Sequence, residues 1–115
     1  MIQQGEIYIA DFPEAGVHPV IILSRESLNR GNYALVVVCT SARFSFRSTF
    51  PNCVPFRAGQ YGFTKDCVAQ CENMLSLDLN QLDYDAGLQG TLSDDDLHDV
   101  VKAVGYVIGS DCEPL

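Results

Sequence analysis

One His, two adjacent hydroxyls, an Arg and a Glu are spaced along this chain so that the ends of neighbouring strands could bring them together. His18 stands between a Gly-containing turn and an apolar run, Thr40-Ser41 closes the next apolar run, Arg43 follows closely, and Glu72 lies in a later one. Such a set suits cleavage of RNA without a metal. A base takes the proton of a 2′-hydroxyl, the freed oxygen attacks the adjacent phosphorus, and an acid protonates the leaving 5′-oxygen. His and Glu are suitable proton carriers near neutral pH. Arg and hydroxyl donors stabilise the charge that grows on the phosphate oxygens. Each residue also has a plainer use: a His before Pro as a turn residue, Thr-Ser as a strand-end cap, and Glu72 as a solvated outward position. No Gly-rich phosphate loop, nucleophile elbow or His-Glu-x-x-His motif is present.

The charge distribution bears on what such a site would hold. The chain has 115 residues and a formal net charge of −8, which looks hostile to nucleic acid. The average hides a division. Residues 18–65 carry Arg25, Arg30, Arg43, Arg47, Arg57 and Lys65 against Glu26 alone, a net +5. Residues 66–115 carry eleven acids against Lys102, a net −10. Five Arg among residues 25–57 could build a local phosphate-attracting face. Arg suits phosphate because its planar fork donates two parallel hydrogen bonds. The acidic half could instead favour a basic protein partner.

The elements that must position these residues are short. Strands are expected at Ile7 to Phe12, Pro19 to Ser24 and Ala34 to Cys39, with turns at Pro13 to Gly16 and Leu28 to Asn32. Thr40 to Arg47 is polar and reads as a loop. Thr49 to Phe56, with Pro51 and Pro55, suits an edge strand. Cys67 to Leu77 holds one further strand or two, and Asp78 to Ala86 reads as a short helix stopping at Gly87. Leu97, Val100, Val101, Val104 and Ile108 recur at helical spacing after Ser93, and Ser93 with Asp96 is close to a capping box. The Asp94–Asp96 run favours the positive end of that helix, and Gly109 ends it. The gaps between strands are too short for crossover helices, so antiparallel pairing is the economical expectation. The expected class is α+β: one domain over residues 1–115, a strongly bent antiparallel sheet or small barrel with a C-terminal helix.

At 47% apolar the chain has enough mass for one core. No apolar run reaches the roughly 18 residues of a membrane span, and the N-terminal residues show no secretory signal. Five cysteines, without a tight Cys-x-x-Cys and a second pair, read as reduced, buried thiols in the cytoplasm. No metal and no cofactor is expected.

Successive blocks resemble the MazF/PemK family of toxin–antitoxin ribonucleases. Gly5-Glu-Ile-Tyr-Ile-Ala-Asp-Phe12 resembles the family's opening strand, and His18-Pro19-Val-Ile-Ile-Leu-Ser24 its R-P-V-[VI]-[VI]-[LI]-S block. Leu35-Val-Val-Val-Cys-Thr-Ser41, Ala69 to Asp78 and Gly90-Thr-Leu-Ser93 resemble three later blocks in the right order. The resemblance implies a small SH3-like barrel that forms a homodimer, cuts single-stranded RNA and is neutralised by an antitoxin protein occupying the RNA groove. It places Thr40 and Ser41 on the family's catalytic Thr and its neighbour, and Glu72 on an acidic position that is a catalytic Asp in the PemK branch. The family's Arg before Pro is His18 here, and the loop before it is several residues short. The second Arg of the PemK branch falls at Gln70. The expected catalytic set is thus His18, Thr40, Ser41 and Glu72, with Arg25, Arg43, Arg47 and Gln70 on RNA. The alternative is a catalytically silent barrel, or a protein-binding one of the CcdB kind, although the chain lacks the terminal aromatic residue that CcdB uses.

Overall fold

The structure, a computed structural model, describes residues 2–110. Strands β1 (Glu6–Phe12) and β2 (Gly16–Ile22) form a hairpin. They are followed by β3 (Tyr33–Thr40), a one-turn helix α1 (Phe44–Arg47), β4 (Cys53–Phe56), β5 (Cys67–Asp78), the two-residue β6 (Gly90–Thr91) and helix α2 (Asp94–Ile108). All strand pairs are antiparallel, in the order β4-β5-β3-β2-β1-β6. The expected bent antiparallel sheet with a C-terminal helix is therefore present. The ladder stays open between β4 and β6, so the sheet is a curled half-barrel.

β3 lies in the middle of the sheet and is buried on both faces. That accounts for its unbroken apolar run, because only a strand with one wet face alternates polar and apolar residues. Val37 and Cys39 point into one cluster with Ile7, Ile21, Phe56 and Phe63, closed by Val100 and Ala103 of α2. Val36 and Val38 point the other way, onto Ala10, Val20, Ile22, Leu77 and Leu82. Cys39, Cys53, Cys67 and Cys71 are free and buried in this sheet. Burial pushes the Cys71 thiol up to about 12, so it stays protonated at neutral pH. Cys112 lies outside the described residues.

Helix α2 starts and stops where its sequence indicates. The Ser93 hydroxyl accepts from the Asp96 backbone N–H at 3.2 Å. Gly109 adopts φ 73° and caps the far end. Ser110 folds back to donate its N–H to the Gly105 carbonyl at 2.8 Å. A Cβ at Gly105 would lie 2.7 Å from the Ser110 hydroxyl oxygen, so the glycine inside the helix makes room for this return. Tyr61 fastens the other side of the helix start. Its hydroxyl donates to the Asp96 carboxylate and accepts from the Ser93 N–H at 3.1 Å.

β2 runs from Gly16 to Ile22, against the expected Pro19 to Ser24, and three further segments differ from the sequence expectation. Residues 41–47 are not all loop, since α1 forms after Arg43 enters the left-handed region at φ 55°. Residues 78–86 do not form a helix beyond a single 3-10 turn, Leu79–Gln81. There Asp78 accepts from the Asn80 N–H at 2.9 Å, Leu82 bridges to Ala10, and the Asp83 N–H donates to Ile9 at 2.8 Å. Burial of Leu82 against β1 outweighs local helix preference. Finally, the edge strand contracts to Cys53–Phe56, leaving Pro51 outside it. No described helix is long and apolar enough to cross a membrane.

Removing the Ser93 cap should cost about 1 kcal/mol, so Ser93→Ala should lower Tm by roughly 4 °C. Gly62 has φ +75°, and a Cβ there would lie 2.9 Å from the Gln89 carbonyl oxygen. Gly62→Ala should therefore destabilise by more than the cap variant. Thermal melts in which Gly62→Ala matches the parent would refute this reading of the turn.

Candidate active site

The hydrogen-bond ladder between β3 and β5 changes register once. Val37 pairs with Met74, but Val38 pairs with Gln70, so Cys71, Glu72 and Asn73 have no partner on β3. The bulge is pinned from the other side, where the Cys71 N–H donates to the Asn52 carbonyl at 3.0 Å. Bulges of this kind end a pairing and re-aim side chains. On the opposite flank of β3, the ladder to β2 runs only from Ile22–Val36 to Val20–Val38. Continued, it would set His18 against Thr40. The strands part there instead, and a cavity opens between them.

This cavity, of about 260 Å³, is lined by His18 of β2, Thr40 at the end of β3, Arg47 of α1, and Gln70 and Asn73 of β5, over an apolar floor that includes Val38. Strand parity explains the gathering. His18 shares its face with Val20 and Ile22, and Thr40 shares the same face with Val36 and Val38. The His18 ring is half-buried, tilted against Phe12 with ring centroids 6.1 Å apart. Its Nε2 donates to the Ala15 carbonyl at 3.0 Å. A carbonyl only accepts, so in the neutral ring this bond holds the proton on Nε2 and leaves Nδ1 as the basic nitrogen. The Thr40 hydroxyl oxygen accepts from the Ala42 N–H at 3.2 Å, where the chain leaves β3. Gln70 donates from Nε2 to the Glu72 carboxylate at 3.3 Å.

The other residues singled out in the sequence fall elsewhere. Ser41 faces opposite to Thr40. It lines a second cavity, of about 280 Å³, with Thr64, Lys65 and the thiols Cys39 and Cys67. His18 borders this cavity as well. The Cys39 thiol is held well above its usual range by its hydrogen bond with Cys67 and by burial. Glu72 is exposed, lines neither cavity, and touches the site only through Gln70. Arg43 lines neither cavity; its guanidinium lies 4.7 Å from the centre of the Phe46 ring. Arg25 follows the far end of β2. The strand from His18 to Ile22 alone rises about 13 Å, so Arg25 lies well away from this cavity. Arg57 is also committed, to Asp66 at 3.0 Å. The Ala58 N–H and Arg57 together hold the Asp66 carboxyl below its usual range.

Asn73 and Lys65 line the two cavities without having stood out in the sequence. Asn73 reaches its place through the bulge, which leaves no local pattern. Lys65 had only its charge to mark it. Among the described residues, no group of three or more His, Cys, Asp or Glu side chains is placed to hold a metal ion.

Comparison with known proteins adds an independent line. Residues 3–108 match the family model described as PemK-like, MazF-like toxin of type II toxin–antitoxin system. A similar curated protein is the endoribonuclease MazF of Staphylococcus saprophyticus. It is 25% identical over 115 residues, covering 95% of this chain and 92% of that protein. Among solved structures, an endoribonuclease in complex with its cognate antitoxin from a mycobacterial species superposes with a TM-score of 0.77 at 19% identity, covering 95% of this chain and 96% of that one. The Mycobacterium tuberculosis toxin MazF-mt6 superposes with a TM-score of 0.75 at 22% identity, covering 90% and 96%. With nearly its whole length matched by one family model, this chain belongs to the PemK-like, MazF-like toxins of type II toxin–antitoxin systems.

Proposed function

We propose that this toxin is an endoribonuclease that cuts single-stranded RNA by attack of the 2′-hydroxyl, without a metal or cofactor. The observation that carries the proposal is the shared cavity of His18, Thr40, Arg47 and Gln70 in a chain of this family. His18 Nδ1 takes the 2′-hydroxyl proton. The 2′-oxygen bonds to phosphorus as the bond to the 5′-oxygen breaks, and the leaving oxygen takes a proton from solvent at the open mouth. The products are a 2′,3′-cyclic phosphate and a 5′-hydroxyl, and His18 returns its proton to water. Thr40 and Arg47 donate to the phosphate oxygens as their charge grows. Glu72 is a positioning residue: its carboxylate accepts from Gln70 and fixes the amide that meets the nucleotide beside the linkage. Ser41 lines the neighbouring cavity.

The toxin reading extends to partners and place. We infer an antitoxin protein that covers this cavity, as the mycobacterial relative is described in complex with its own. We also infer a homodimer in the cytoplasm. Leu28, Tyr33 and Leu35, exposed by 70%, 56% and 38% near the start of β3, offer an apolar face to a second copy. Light scattering should give twice the mass of one chain, and Leu35→Glu should halve it. A monomer at micromolar concentration would end the dimer assignment.

The enzymatic reading is tested on a long unstructured RNA with EDTA present. Cuts should persist and leave cyclic phosphate ends. His18→Ala should slow them by about a hundredfold or more, and Thr40→Val by about tenfold or more. Glu72→Gln should cost only several-fold, through KM more than kcat. Uncut RNA under all conditions would instead favour the catalytically silent barrel, for which the substitution of His18 for the family's Arg is the specific argument.

A further inference from the structure

Helix α1 is out of keeping with the rest of the molecule. Two of its four residues are Phe, yet none of the four is buried. Phe46 is 52% exposed, and Phe50, just past the helix, is 41% exposed. So short a helix has little stability of its own. The Ser48 hydroxyl holds it by donating to the Phe44 carbonyl at 2.7 Å, and the Thr49 hydroxyl by donating to the Phe46 carbonyl at 2.7 Å. The rings of Phe46 and Phe50 meet edge to face at 4.9 Å and 89°. The Arg43 guanidinium lies over the Phe46 ring. Planar groups are thus held ready at the surface, where burying them in the core would have been the ordinary outcome. Residues 41–57 include Arg43, Arg47 and Arg57 and no acid. Arg47 of this helix also lines the cavity that holds His18 and Thr40.

We propose that Phe46, backed by Phe50 and paired with Arg43, is a stacking platform for a base of single-stranded RNA adjoining the linkage held in the cavity. The proposal rests on the ribonuclease reading above and adds a nucleotide site to it. Aromatic rings and guanidinium planes both stack on unpaired bases, and the interaction tolerates any base, since each has a π-face. A phosphate next to the stacked base meets Arg47 at the cavity rim. The platform therefore sets where the strand lies and contributes little to the choice among bases. An acidic segment of a protein would find the same Arg, but the flat face of a base is what suits a ring paired with a guanidinium plane.

The chain has no Trp, so Phe46→Trp installs a single fluorescent reporter at the site. A short oligodeoxyribonucleotide lacks the 2′-hydroxyl, cannot be cut by this chemistry, and serves as the probe. It should quench the reporter saturably at low salt. Phe46→Ala should weaken oligonucleotide binding, and raise KM for RNA, by roughly tenfold with kcat far less affected, and Phe46→Tyr should restore both. The exposure of Phe46 makes an unchanged melting temperature the expected control. RNA cut without quenching removes the platform and leaves the nuclease. Quenching without cutting keeps the platform as a nucleic-acid site and removes the nuclease. Silence in both removes both. A reporter that answers a polyglutamate peptide but not the oligonucleotide overturns the proposal in favour of a protein contact.

Discussion

The step in register between β3 and β5 governs much else in this molecule. A strand presents alternate side chains to opposite faces, so an odd insertion exchanges the faces of everything beyond it. Three residues of β5 are set outside the ladder to β3. Before them, Val68 and Gln70 share the face of Thr40; after them, Leu75 and Leu77 share the face of Val36. An unbroken strand would have turned Met74, Ser76 and Asp78 to that face and sent the two leucines out. The insertion thus lets one 12-residue strand serve two parts of a curved sheet. The backbone donor at Cys71 is satisfied by Asn52, and the Cys71 side chain is fully buried, so the irregularity sits in the core as a fixed feature.

The same alternation divides the candidate chemistry. Thr40 and Ser41 are neighbours in sequence but belong to different cavities, because they point to different faces at the end of β3. His18 and Thr40 face the same way because each lies an even number of residues from an inward valine on the same face. Electrostatics follow a comparable division. The acids of α2 crowd its first turn, where the helix dipole favours them. The Arg that matter for phosphate lie on the segment joining β3 to β4. Screening over about 8 Å at physiological salt lets the two regions behave separately. The overall negative charge therefore does not forbid a polyanion at the cavity.

Much of the fold could be read from the residues because local and tertiary demands agree there. The apolar runs of β2 and β3 are strand-length and flanked by turn residues, and α2 has a capping Ser, an acidic first turn and a terminal Gly. The helix at 78–86 is absent because Leu82 is drawn to β1, a demand that only the sheet imposes. Helix α1 shows the converse problem: half-buried Phe44 and exposed Phe46 break the pattern by which amphipathic helices are found. For the site, family resemblance marked positions, and parity decides which of them meet. His18, Thr40, Arg47 and Gln70 share one cavity; Ser41, Glu72, Arg43 and Arg25 lie beside it, behind it or far from it. The bulge that settles Glu72 and Asn73 exists only in the pairing of two strands, so no single stretch of chain could announce it.

The place of His18 has a consequence for inhibition. His18 forms part of the wall of two cavities, one lined by Thr40 and Arg47 and the other by Ser41 and Lys65. Compounds of unrelated shape, one seated near Arg47 and the other near Lys65, would therefore border the same residue. A molecule long enough to bridge both would gain contacts from each.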